Sequence, residues 1–175
     1  MIKYIKGDVI MLLYELIGFL GYGFLAYSLL SNKKKNILKY RIFANSSLGI
    51  HYLLMGGLTG FATNIVTVFR NIVYSNKKKK SFSNIIWVPL FIITYILLGI
   101  VTWHGWISVL PIIAVSILTL SLWQDNVRII KLSYLIEGAC WFIYAIYISS
   151  WSVAISVVIL SIFLLIKELK SLKCQ

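Results

Sequence analysis

The sequence predicts an all-α integral membrane protein of seven transmembrane helices, arranged as two parallel three-helix repeats joined by a connector helix. Three observations carry this. The 175 residues are 60% hydrophobic with a mean hydropathy of +0.89, more apolar side chain than a soluble core of this size can bury. The apolar stretches approach the 20 or so residues a helix needs to cross hydrocarbon, and none alternates in polarity as a membrane-barrel strand would. Positive charge alternates from loop to loop, heavy and then absent.

Helix 1 is expected over residues 9–30. Lys3 and Lys6 precede it as they would a signal peptide, but the apolar run is too long for one and no small-x-small cleavage site follows. We therefore expect a retained helix. Helix 2 is placed over 37–55, and Gly56-Gly57 turns the chain tightly into helix 3, over 58–75. These two are the most polar spans. They carry Asn45, His51, Asn64 and Arg70, which a lipid-facing helix would not tolerate. Four lysines at 77–80 stop helix 3, and helix 4 covers 84–102. The segment Trp103-His104-Gly105-Trp106 leads into helix 5, over 107–123, and Gln124-Asp125-Asn126 into helix 6, over 127–148. Ser149-Ser150 then turns into helix 7, over 151–169. The implied organisation is a first repeat at 9–75, a connector at 84–102 and a second repeat at 107–169.

Charge sets the topology. Fifteen of the 17 basic residues fall in loops 1–2, 3–4 and 5–6, their flanks and the C-terminal end, while loops 2–3, 4–5 and 6–7 have none. Short basic loops stay cytoplasmic, so the N-terminus is expected outside and the C-terminus inside. Trp103, Trp106, Tyr147 and Trp151 gather at the opposite boundary, where amphipathic rings prefer to lie. The net charge of +12 is thus topogenic rather than a nucleic-acid footprint, because it is spread over short loops. The lipid bilayer is the expected partner, and the lysines at 77–80 would face its anionic headgroups.

Enzyme chemistry is not expected. The sequence has no phosphate-binding loop, no GxSxG, no HExxH and no Cys-x-x-Cys. Cys140 and Cys174 lie at different depths, which argues against a disulfide or a metal cluster. No cofactor is expected.

An internal repeat is suggested by matched helix lengths, matched outer turns and polar inner loops in both halves. A shift of 92 residues sets Tyr52 on Tyr144, Asn45 against Glu137 and Asn64 against Ser156. An odd number of helices per repeat requires one extra span for both halves to point the same way, and helix 4 supplies it.

This 3+1+3 arrangement resembles the SWEET and PQ-loop superfamily of small transporters. More closely, Gly18-Phe19-Leu20-Gly21-Tyr22 through Ser31, His51-Tyr52-Leu53-Leu54-Met55-Gly56, and Asn64 to Arg70-Asn71 resemble a bacterial inner-membrane family labelled YgjV. The likeness covers essentially the whole chain and implies fold and inner-membrane location rather than an activity. SWEET transporters carry a hinge proline in the first helix of each repeat. Here helix 5 has Pro111, but helix 1 offers only glycines, among them Gly18 and Gly21. The substrate-contacting asparagine of the third helix matches Asn64, while its counterpart in the second repeat is Ser156. Sugar transport therefore does not follow from the resemblance. Single-repeat relatives act as dimers and seven helices suffice alone, so a monomer or a homodimer is expected.

The candidate site residues are polar groups inside the spans. Asn45, Asn64, His51, Glu15, Glu137 and Ser156, with Trp141 to stack on a ring, are expected to line a cavity between the two bundles and hold a polar metabolite. Glu137 and Arg70 lie at similar depths, about 16–18 Å from the outer ends. An ion pair between them would offset the cost of burying either charge, about 2.5–3.5 kcal/mol each on insertion scales. The alternatives are that Arg70 snorkels to the headgroups and that Glu137 sits protonated as helix glue. His51 reads equally as an interfacial histidine, and Gly18 and Gly21 as packing points. The expected function is transport of a small polar metabolite across the cytoplasmic membrane by alternating access of two bundles, with proton coupling through Glu15 or Glu137. The alternative is a non-transporting membrane protein that binds lipid or stabilises a partner.

Overall fold

A computed structural model describes the backbone of residues 2–173 and the side chains of 11–167 and 169. The side chains of Lys3, Lys6, Lys170 and Lys173, and all of Cys174, lie outside the described residues. Seven α-helices account for nearly the whole chain: α1 (Ile2–Leu30), α2 (Lys34–Leu54), α3 (Leu58–Ser75), α4 (Trp87–Val101), α5 (Val109–Trp123), α6 (Val127–Tyr147) and α7 (Trp151–Lys173). There is no strand among the described residues. Short 3₁₀ turns, Lys80–Phe82 and Trp106–Ser108, precede α4 and α5. The Trp106–Ser108 turn makes α5 start two residues later than the hydropathy suggests, and a turn over 84–86, in which Ile86 N–H donates to Asn84 Oδ1, delays α4 by three. Pro89 and Pro111 each occupy the third position of their helix, where a missing N–H breaks no intrahelical bond.

Three helical segments are long and apolar enough to cross a membrane: Met11–Leu30, Trp106–Trp123 and Val127–Tyr147. Trp87–Val101 and Trp151–Lys167 are shorter apolar helices. α2 and α3 do not meet the composition, because their polar residues point inward. Arg41, Asn45, His51, Asn64, Arg70 and Asn71 are all buried, while Phe43, Ile50, Ile65 and Phe69 are exposed. Large apolar residues such as Ile93, Leu97, Ile136 and Ile159 cover the outside, the inverse of a soluble fold and the arrangement a hydrocarbon solvent selects.

Packing follows a closed order. α1 packs on α2, α2 on α3, α3 on α5, α5 on α6, α6 on α7, and α7 on α1. α4 packs on α3 and α5. It is tied to α3 by Thr67 Oγ1 and the Tyr95 hydroxyl, 3.1 Å apart. α2 and α6 face each other, with Tyr52 stacked on Trp141 at 5.0 Å.

Two regularities link the halves. The α2–α3 and α6–α7 turns have the same hydrogen bonds. Gly56 N–H donates to Leu53 O and Gly57 N–H to Tyr52 O; Ser149 N–H donates to Ile146 O and Ser150 N–H to Ala145 O. Both are Schellman caps, with Gly56 (φ 77°) and Ser149 (φ 58°) in the left-handed position. Equivalent residues, such as Gly56 and Ser149, are 93 apart. The same interval relates the buried positions. Gly18, Gly21, Tyr22 and Ser28 of α1 match Pro111, Ala114, Val115 and Ser121 of α5, all buried. Arg41, Ala44, Asn45 and Leu48 of α2 match Tyr134, Glu137, Gly138 and Trp141 of α6. The interval is one residue longer than the 92 suggested by residue identity. At that interval Asn45 falls on Gly138 and Asn64 on Val157.

Candidate functional site: a buried polar cluster

The centre of the bundle holds an ion pair. Arg41 projects from α2 and Glu137 from α6, and the Arg41 Nη2 donates to both carboxylate oxygens at 2.9 and 3.0 Å. Their side chains are only 2% and 7% exposed. The Tyr134 ring lies 5.8 Å from the guanidinium carbon, close enough for its π face to attract the cation. A buried pair repays its desolvation only with good geometry and further hydrogen bonds. The Arg41 Nε has no partner, and neither does the Tyr52 hydroxyl. Two buried donors are therefore left over beside the pair.

A cavity of about 10 Å³ adjoins these groups, and Arg41, Asn45, Tyr52, Asn64, Glu137 and Trp141 are among the residues lining it. This is room for about one water molecule. Asn45 Nδ2 donates to Arg41 O at 2.6 Å and Asn64 Nδ2 to Gly60 O at 2.8 Å. Each amide thus satisfies its donor on its own helix, one turn back.

The expected site residues divide into two groups. Asn45, Asn64, Glu137 and Trp141 are brought together at the cavity. Glu15, His51 and Ser156 are not. Glu15 accepts from the backbone N–H groups of Trp151 and Ser152, at 3.0 and 2.8 Å. These are the first two residues of α7, so the carboxylate of one helix caps another, where the orphan N–H groups and the helix dipole favour an anion. His51 is fully buried, with Nδ1 at 2.7 Å from Tyr14 O and Nε2 at 2.7 Å from Ser150 Oγ. It ties α1, α2 and the α6–α7 turn together. Ser156 is buried on α7 away from the cavity lining.

The expected Glu137–Arg70 pair is corrected. Glu137 pairs with Arg41. Arg70, fully buried, donates to Thr119 Oγ1 at 2.8 Å, Val115 O at 3.2 Å and Asn71 Oδ1 at 3.1 Å. It neither pairs with Glu137 nor snorkels, because α5 supplies acceptors directly opposite. The depths of Arg70 and Glu137 matched, but α3 faces α5 while α2 faces α6, and lateral neighbours decide pairing. Gly18 and Gly21 are packing positions. A Cβ at Gly18 would collide with Ser152 Oγ, and one at Gly21 would come within 2.7 Å of Leu48. Pro111 lies in the first turn of α5, opposite Gly18 in the 93-residue correspondence.

Arg41 and Tyr52 are the residues that sequence reasoning missed at the site. Arg41 adjoins a lysine-rich loop and reads as topogenic. A signal was nevertheless present: Leu38, Arg41, Asn45, Leu48 and Tyr52 recur at spacings of three and four, one face of a helix. Cys140 is half-buried and free, and no three His, Cys, Asp or Glu among the described residues are placed to hold a metal.

An apolar exterior and an ionic interior define a helical membrane protein with a polar centre. The family of bacterial inner membrane proteins labelled Imp-YgjV matches residues 12–171, and the chain belongs to it. No curated protein and no solved structure matches the sequence.

Proposed function

We propose that this protein carries a small polar metabolite across the cytoplasmic membrane, with α1–α3 and α5–α7 acting as two like-oriented units that rock about the Arg41–Glu137 seam. The observation that carries the reading is the seam itself. A buried ion pair with two leftover donors, two asparagines and a stacked Tyr52–Trp141 pair is a costly thing to keep between helices that lipid surrounds. The shared turns and burial register at an interval of 93 support two equivalent units, with α4 as the connector. On this reading the small central cavity is the substrate site in a contracted state of alternating access. Release of the pair by cargo bound at Arg41 would open it.

The orientation we infer puts the N-terminus outside and the C-terminus in the cytoplasm. The basic loops support one common end. The ammoniums of Lys34 and Lys77 both donate to Trp123 O, and Lys131 donates to Asn32.

A second reading is favoured by the size of the cavity: a non-transporting component whose polar centre only fixes helix pairing. Uptake into proteoliposomes of a panel of small polar metabolites separates the two. Transport requires uptake by the wild type that is abolished in Asn64→Ala and Glu137→Gln proteins retaining native helicity. A flat panel supports the second reading.

A further inference from the structure

A second hollow opens at the basic end, away from the central seam. It measures about 580 Å³, within the range of ligand pockets, and lies between the start of α2, the end of α3 and the α5–α6 loop. Five lysines line it, Lys34, Lys35, Lys77, Lys78 and Lys79, against one carboxylate, Asp125. Lys34 and Lys77 are fixed in place. Lys34 Nζ reaches Asp125 at 2.8 Å and Trp123 O at 3.2 Å. Lys77 Nζ reaches the same carbonyl at 2.7 Å and lies 4.3 Å from the centre of the Trp123 ring. Lys35, Lys78 and Lys79 are exposed, and their ammonium groups make no hydrogen bond among the described residues. At the inner wall Tyr74 is 2% exposed and its hydroxyl has no hydrogen-bond partner.

We infer that this hollow is a binding site for a phosphate-bearing anion. One aspartate cannot offset five ammoniums, and a compact multivalent anion can. Lysine binds phosphate as a point charge without a required geometry. The site sits where helix ends meet the headgroup layer, at which basic pockets between helices hold anionic lipid headgroups. The same chemistry would accept a soluble phosphate ester.

Calorimetric titration of the detergent-solubilised protein tests this. The probes are dihexanoyl phosphatidylglycerol, dihexanoyl phosphatidylcholine and glycerol 3-phosphate. The wild type should bind phosphatidylglycerol about tenfold or more tightly than phosphatidylcholine, and the Lys35→Gln/Lys78→Gln/Lys79→Gln protein should lose that preference. These lysines are exposed, so helicity should be unchanged. Glycerol 3-phosphate binding as tightly as the lipid assigns the site to soluble phosphates; a requirement for acyl chains assigns it to lipid. Equal affinity for the two lipids, or an unchanged preference in the triple variant, overturns the inference.

Discussion

Arg41 and Glu137 each depend on the other. Removing one leaves a buried charge unpaired, a cost of roughly 3–5 kcal/mol, whereas replacing both with apolar residues of similar volume is often neutral. Arg41→Met or Glu137→Leu alone should therefore sharply lower the unfolding midpoint in detergent, and the double variant should recover most of it. Additive losses in the double variant would show that the two do not interact. Glu15 makes a different prediction. As a cap on α7 its removal should cost about 1 kcal/mol and leave cargo affinity alone; a Glu15→Gln protein that folds normally yet loses uptake would return this carboxylate to the transport path. At the basic end, the hydrogen bond from Lys34 holds the Asp125 carboxyl below the usual aspartate range. A lowered pKa stabilises the fold above the unfolded-state value, and the effect is lost as pH falls through the folded one. The Asp125 side chain is 83% exposed, so Asp125→Asn should cost under about 0.5 kcal/mol at neutral pH. That difference should vanish in acid, as pH-dependent unfolding would reveal. Glu137 was legible because an acid in mid-span is too costly to bury without a partner or a role; Arg41 was not, because a basic residue one turn inside a helix beside lysines reads as topogenic.

The helices obey local rules that the sequence displays, and miss expectation where the rule is not hydropathy. α3 runs from Leu58 to Ser75, between the Gly56-Gly57 turn and the lysine run, as expected. α2 starts earlier than its apolar run because helix propensity, not apolarity, carries Lys34 and Lys35. The two Schellman turns differ in one residue that matters. Gly56 takes its left-handed φ freely, while Ser149 at φ 58° pays for its Cβ. Ser149→Gly should stabilise the protein and Gly56→Ala destabilise it, each by roughly 1 kcal/mol, measured by thermal unfolding in the same detergent. On α1, Gly18→Ala should be worse than Gly23→Ala. Gly18 faces Ser152 and His51 at close quarters, whereas a Cβ at Gly23 would meet nothing within 4 Å.

At the level of the whole molecule, what could be read was the class: helical, membrane-embedded, with polar residues turned inward on the second and third helices. What could not be read was lateral order. Depth along a helix follows from counting residues, but which helices touch follows from side-chain packing, and that is why Glu137 was paired with Arg70 rather than Arg41. The closed order, with α7 on α1 and α3 on α5, sets α2 against α6 and creates the seam on which the proposed function depends. That seam is tested most directly by single cysteines in membrane vesicles, labelled with a small membrane-impermeant thiol reagent applied to one side at a time in a Cys140→Ser/Cys174→Ser background. If the two units alternate about it, Asn45→Cys and Asn64→Cys react from both sides, while Ile50→Cys and Ile65→Cys, on the lipid-facing surfaces of the same helices, do not. Asparagine positions that stay unreactive from either side, or no more reactive than Ile50 and Ile65, would contradict an opening polar seam and leave Arg41 and Glu137 as internal struts.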